Sequence, residues 1–306
     1  MKNAIIVGAG YVGGAVVNYL SQKKILFCVY DNLTYRDNYL FSFDFEYGDV
    51  RDTKKLLKII PKYSHIIWLA AIVGDGASSV NEDYTMDVNT SSVEWLTSNY
   101  KRRIIFTSTC SVYGLNDNLV NEKSKTNPLF LYANSRLKAE GYLSNKNALL
   151  LRLGTAFGYG GEYSRIRMDL AINYMTMVAV RKKELSVFGG KQWRPFIHVR
   201  DIGKISVESL DKLHVGIYNV ATQNVRIIDI ANAIRKQTNC RILETQQKFE
   251  DNRSYRVDVS KALKAKFFSE NIARTIENGI REIRDLVLSG RVKDFEGELY
   301  FNQKYL

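Results

Sequence analysis

The stretch Ala4-Ile5-Ile6-Val7-Gly8-Ala9-Gly10-Tyr11-Val12-Gly13 constrains this chain more than any other. Its short, β-branched apolar run reads as a buried strand. Glycines at G-x-G-x-x-G spacing follow, and Ala15-Val16-Val17-Asn18-Tyr19-Leu20 reads as a helix. Strand, tight turn and helix in that order suit the pyrophosphate of a dinucleotide. Gly8 allows the turn, Gly10 lets phosphate approach the backbone, and Gly13 lets helix and strand pack closely. Around Tyr11 and Val12 the helix N-terminus offers unpaired N–H groups and a partial positive charge.

The second strand, Ile25-Leu26-Phe27-Cys28-Val29-Tyr30, ends in Asp31 and Asn32. An acidic residue about twenty positions beyond the glycines holds the adenosine ribose hydroxyls. A carboxylate there repels a 2′-phosphate, so Asp31 favours NAD over NADP, and nearby Arg36 blurs that preference.

The 306 residues are 45% hydrophobic and 25% charged, a globular composition, and only 3 prolines argue against disordered linkers. The apolar run Ile66–Val73 is far too short for a membrane span. The chain enters a strand at once, so no signal peptide is expected. Cys28, Cys110 and Cys240 lack C-x-x-C spacing, which fits a reducing cytoplasm. Three scattered histidines argue against a metal site. The net charge of +12 admits three readings: nucleic acid, a small phosphorylated ligand, or solvated lysines. Dispersed charges and the absence of a nucleic-acid motif leave the last two.

Further along, a strand near 43–47 leads into Gly48-Asp49-Val50. Asp49, just past a strand end, suits a cofactor contact, a helix N-cap, or both. A helix through Leu56 and Ile60 stops near Pro61. The strand 65–69 ends in Leu69-Ala70-Ala71-Ile72-Val73-Gly74, small residues that leave room for a nicotinamide ring or reflect dense packing. Residues 82–100 read as one long helix, with Asn89 as polar surface. Strands at 103–107 and 148–153 continue an alternation that predicts a parallel sheet covered on both faces. The last strand of that sheet is placed at Ala148–Leu153.

Chemistry is divided between Thr107-Ser108-Thr109-Cys110-Ser111-Val112-Tyr113-Gly114 and Tyr132-Ala133-Asn134-Ser135-Arg136. Tyr132 and Arg136 are one helical turn apart, so both project from one face. A cation there would lower the tyrosine pKa from about 10 and favour a phenolate base.

These pieces, continued by Arg194-Pro195-Phe196-Ile197-His198-Val199-Arg200-Asp201, resemble the extended short-chain dehydrogenase/reductases, specifically the nucleotide-sugar epimerases, dehydratases and reductases. The resemblance covers nearly the whole chain. It implies an α/β fold: a Rossmann-like doubly wound parallel sheet over 1–153, joined by some later segments, and a smaller C-terminal α/β lobe over 154–306 for substrate. It implies NAD held by Gly8, Gly10, Tyr11, Val12, Gly13, Asp31, Asn32, Asp49, Val50, Leu69, Ala70, Ala71, Asn89, Tyr132 and Arg136. Tyr132 would be the general base on a sugar hydroxyl and Thr109 its hydrogen-bond partner, with hydride exchanged at C4. Asn173 and Arg194 would hold the diphosphate of the nucleotide sugar, Arg253 would be a third nucleotide-binding position, and Arg165 and Arg167 would also bind substrate, since arginine forks make bidentate bonds to phosphate. His198 reads as structural. A homodimer or higher homo-oligomer is implied through helices near 84–100 and 131–145.

Two departures stand out. Arg136 replaces the family lysine; it keeps the charge but cannot release a proton, which opens the alternative of a catalytically impaired NAD-binding relative. Cys110-Ser111 replaces the Asp-Glu pair of the 4,6-dehydratases, which disfavours water elimination. The run Arg165-Ile166-Arg167-Met168-Asp169-Leu170 resembles a subgroup from bacterial surface-polysaccharide pathways. The aromatic tail 298–306 has no assigned role beyond an interface or a clamp.

Overall fold

The N-terminal apolar run becomes a central strand because every side chain from Ala4 to Val7 is buried. The structure, a computed structural model, describes residues 3–35, 43–188, 190–245, 253–269, 273–294 and 297–306. Arg36 lies outside the described residues.

Seven strands form one sheet, labelled here β1 (Asn3–Val7), β2 (Leu26–Asp31), β3 (Asp44–Tyr47), β4 (His65–Trp68), β5 (Arg103–Thr109), β6 (Ala148–Leu153) and β7 (Gly216–Val220). Their order is β7-β6-β5-β4-β1-β2-β3, and every pairing is parallel. Parallel neighbours need long crossovers, which the intervening helices supply on both faces. On one face α1 (Tyr11–Lys23) packs against the helix Val199–Glu208, burying Val16, Val17, Leu20, Ile202 and Ile205. The approach is close: a Cβ at Gly203 would lie 2.6 Å from the Ala15 carbonyl oxygen. On the other face Leu56, Leu96 and Leu143 cover Trp68 and Phe106. The sheet therefore continues past Ala148–Leu153: β7 pairs with β6 after the chain has made an excursion into the second lobe.

That lobe holds a three-stranded sheet of Gln223–Arg226, Trp193–His198 and Thr155–Phe157, and a parallel pair, Glu184–Phe188 with Arg241–Thr245. Helices Ala171–Lys182, Ile227–Thr238 and Ile276–Leu288 enclose its core around Ile172, Ile234 and Ile280. His198 caps the helix Val199–Glu208, accepting the Arg200 N–H on Nδ1, while Nε2 contacts Glu282 at 2.8 Å. Among the described residues no helix is long and apolar enough to cross a membrane.

The stretch 82–100 is not one regular helix. Glu82–Met86 is α-helical, Asp87–Ser91 is a π-helical turn, and Ser92–Asn99 resumes the α-helix. The π turn brings in Asn89, which is fully buried and not polar surface. Its amide donates to the Ile72 carbonyl at 3.0 Å and to Ser135 Oγ at 3.0 Å, and its carbonyl accepts the Ile72 N–H at 2.8 Å.

Candidate active site

At the C-terminal ends of β1, β2, β4 and β5 a single cavity of about 930 Å³ runs from the glycine turn into the second lobe. Doubly wound sheets gather their ligands at this edge, where the strand order reverses. Gly8 has φ +98°, and a Cβ there would lie 2.5 Å from Ala70 N. A Cβ at Gly13 would meet the Gly8 carbonyl oxygen at 2.1 Å, so this glycine serves helix–strand packing. At Gly10 a Cβ would meet nothing within 4 Å, so the close approach is left for something outside the chain. Among the described residues no side chain caps the first turn of α1 at Gly10, and Gly10 to Gly13 line the cavity.

Gly8, Gly10, Tyr11, Val12, Gly13, Asp31, Asn32, Val50, Leu69, Ala70 and Ala71 all line the cavity. Asp31 joins the glycine turn to the end of β2: Oδ2 accepts the Ala9 N–H at 2.6 Å and Oδ1 the Leu33 N–H at 2.7 Å. Two of the expected cofactor residues stand behind the wall instead. Asp49 is gripped by Arg51, with Nε–Oδ1 at 2.9 Å, and accepts from Asn32 Nδ2 at 3.0 Å. Burial works to raise its pKa, but these bonds outweigh it and hold the carboxyl below the usual range. Nor does Asp49 cap the next helix; Asp52 does, accepting the Lys55 N–H. Asn89 fixes the Ile72 backbone, which in turn lines the cavity.

Thr109, Tyr132 and Arg136 line the same cavity. Thr109 Oγ1 accepts the Ser111 N–H at 3.1 Å, which leaves its own O–H as a donor. Arg136 is 1% exposed. Its Cζ sits 4.2 Å from the Phe106 ring centroid, and Nη2 donates to the Thr107 carbonyl. Among the described residues its Nε and Nη1 have no hydrogen-bond partner. Burial lowers the pKa of this guanidinium. The expectation for Tyr132 is corrected: burial raises its pKa, and Arg136, although it pulls the value down, does not compensate. A desolvated phenolate costs more than one guanidinium a helical turn away returns.

Behind Thr109 lies a buried polar chain. Ser108 donates to Glu140, Glu140 pairs with Arg152 at 2.6 Å, and Arg152 donates to Tyr113 Oη at 2.9 Å.

The expected substrate residues of the second half of the chain separate. Arg194 and Arg253 line the cavity, and Arg253 crosses the cleft to Asp75 at 2.8 Å. Asn173 does not line it; this fully buried residue accepts the Gly158 N–H at 2.9 Å and donates to the Arg167 carbonyl at 2.8 Å. Arg165 and Arg167 line the cavity beside the glycine turn, with Arg165 4.5 Å from the Tyr35 ring and Arg167 6.0 Å from the Tyr11 ring. Sequence reasoning missed Tyr35, Asp75 and Asn302, which also line the cavity. Asp75 was within reach, since it follows the small-residue end of β4; nothing local marks Asn302.

A Gly-rich turn between a strand and a helix of a doubly wound sheet, with a carboxylate at the end of the next strand, is the arrangement of a dinucleotide-binding enzyme. The family model described as the NAD dependent epimerase/dehydratase family matches residues 4–221, and the chain belongs to that family. It is 27% identical over 247 residues to the UDP-glucose 4-epimerase of Rhizobium meliloti, covering 72% of this chain and 75% of that one. It is 25% identical over 255 residues to the ADP-L-glycero-D-manno-heptose-6-epimerase of Brachyspira hyodysenteriae, covering 75% and 79%. Among solved structures, UDP-glucuronic acid 4-epimerase from Bacillus cereus, in complex with UDP-glucuronic acid and NAD, superposes with a TM-score of 0.81 at 23% identity over 94% of this chain and 99% of that one. The chain is an NAD-dependent enzyme of the nucleotide-sugar epimerase/dehydratase type, and the empty approach at Gly10 with the unpartnered nitrogens of Arg136 suits such a cofactor.

Proposed function

We propose that this enzyme acts at C4 of a nucleotide-diphosphate sugar, as an epimerase or a one-way dehydrogenase/reductase, with Tyr132 as general base. The observation that carries the reading is that Tyr132, Thr109 and Arg136 line one cavity with the glycine turn. NAD, when bound, supplies the hydride acceptor. Tyr132 Oη takes the hydroxyl proton, and Thr109 donates its O–H to the same sugar oxygen and so fixes it for transfer. Arg136 lowers the cost of the phenolate from one helical turn away. Arg194 and Arg253, reaching the cavity from the second lobe, hold the diphosphate.

Surface-polysaccharide sugar synthesis is the setting we propose, supported by the Arg165–Leu170 run and the likeness to a heptose epimerase. Pairing of two copies through helices near 84–100 and 131–145 gives a homodimer, and sedimentation of the pure protein tests it.

Arg136 favours a second reading, a cofactor-binding relative that no longer turns over, because its Nη2 is committed to the Thr107 carbonyl. Incubation with NAD and a panel of nucleotide sugars decides. Formation of NADH or of a C4 epimer, lost by about 10²-fold or more in Tyr132→Phe with NAD binding intact, supports catalysis. Tight NAD binding without turnover across the panel supports the second reading.

A further inference from the structure

The C-terminal residues reach the cavity at Asn302. A turn at Glu298–Tyr300 leads into the short helix Asn302–Tyr305. The Met168 N–H donates to the Tyr300 carbonyl at 2.9 Å, anchoring this tail on the segment that carries Arg165 and Arg167. That segment is docked on the glycine turn: Ser164 Oγ donates to the Tyr11 carbonyl at 2.7 Å, and a Cβ at Gly14 would meet Ser164 Cα at 2.2 Å. Arg165 is therefore beside the first turn of α1, stacked over Tyr35, which follows Asp31 and the adenosine end of the cavity.

The tail holds this guanidinium in place. Arg165 Nε and Nη2 donate to the Leu299 carbonyl at 3.2 and 3.1 Å, and Nη1 donates to Asn302 Oδ1. Asn302, 3% exposed, spans the cleft. Its Nδ2 donates to the Val73 carbonyl beyond β4 at 2.8 Å, and its backbone N–H donates to Asp169 Oδ2 at 2.9 Å. Beyond it, Leu306 packs against the cluster containing Trp68, Leu96 and Phe106. The two arginines differ in what they bring. Arg167 is paired with the Asp169 carboxylate through two bonds, Nε–Oδ1 at 2.7 Å and Nη2–Oδ2 at 3.1 Å. The tail partners of Arg165 are a carbonyl and an amide, neutral acceptors that orient the guanidinium, whose charge also acts on the Asp169 carboxylate.

We propose that the C-terminal tail is part of the dinucleotide site, with Asn302 and Leu299 positioning Arg165 against the cofactor diphosphate rather than the diphosphate of the sugar substrate. A helix N-terminus offers roughly half a charge, well short of a pyrophosphate's two, so a guanidinium beside it has a clear electrostatic task. The inference rests on the NAD dependence of the enzyme and is independent of Tyr132 acting as base.

The test measures NAD release from loaded protein by dilution into a nucleotide trap, together with KM for the nucleotide sugar. Arg165→Ala should speed NAD release roughly tenfold or more, the range for one charged hydrogen-bonding group. Asn302→Ala should speed it less, because Leu299 still holds the guanidinium, and Arg165→Lys should fall between Ala and wild type. Gln303→Ala, on the exposed side of the tail, should leave release unchanged. KM for the sugar should stay within about twofold throughout. Unchanged NAD release in Arg165→Ala overturns the proposal; if KM rises instead, Arg165 serves the substrate. A lower melting temperature with both affinities intact also overturns it, making the tail a structural brace only. Failure of the wild-type protein to bind NAD would remove the cofactor assignment itself.

Discussion

At the scale of the residue, Tyr132 and Arg136 show how burial and charge compete. Periodicity puts the pair on one helix face, but only the packed structure reveals that desolvation wins and the phenol is held above its ordinary pKa. The active form of a base is deprotonated, so the free enzyme's kcat/KM should rise with pH from 7 toward 10. Arg136 pulls the tyrosine down. Arg136→Gln should therefore shift that rising limb to higher pH and lower activity at pH 7, which a pH profile against wild type will show. An unshifted limb would mean the guanidinium does not act on the phenol. Asp49 and Asp52 make a related point. Both sit where a helix cap is plausible, and only the fold decides that Asp52 takes the Lys55 N–H while Asp49 binds Arg51 and Asn32.

The π turn at Asp87–Ser91 is the instructive case among the elements. Apolar spacing makes 82–100 look like one helix, since a single extra residue in a turn hardly disturbs a short pattern. That turn lets Asn89 satisfy both backbone groups of Ile72, in the loop that follows β4. Asn89→Ala would strand a buried N–H and a buried carbonyl. The expected cost is about 1–3 kcal/mol, measurable by urea unfolding, with NAD affinity reduced because the loop lines the cofactor cavity. The elements read correctly from sequence were those coded by contiguous residues, such as the strand, glycine turn and helix of residues 3–23. The strand β7 escaped because Gly216 and Asn219 break up its apolar residues, so it lacks the continuous apolar run of β1.

For the whole molecule, two lobes close on one cavity, linked across the cleft by Arg253–Asp75 and by Asn302 on Val73. A ligand bound only by the folded state stabilises it by mass action. Raising NAD to 100 times its Kd should add about 2.7 kcal/mol to the unfolding free energy, read as an upward shift in melting temperature. Asp31→Ala should shrink that shift at the same NAD concentration, since this carboxylate lines the cavity and braces the glycine turn. An equal shift in both proteins would place the cofactor elsewhere.

The sequence by itself determined the class of fold and the glycine turn with Asp31 near it, and it singled out Thr109, Tyr132 and Arg136, which line one cavity. The glycine turn and the Tyr132–Arg136 pair rest on spacing within a turn or one helix, where backbone geometry fixes which side chains share a face, whereas Thr109 was joined to them by family resemblance. Tertiary structure alone decided which arginines line the cavity, that Asn89 and Asn173 are buried supports, and that the last residues of the chain reach back to Arg165. The contact of the tail with Arg165 joins residues more than a hundred positions apart, and neither the tail nor the arginine it holds carries any local mark of the other.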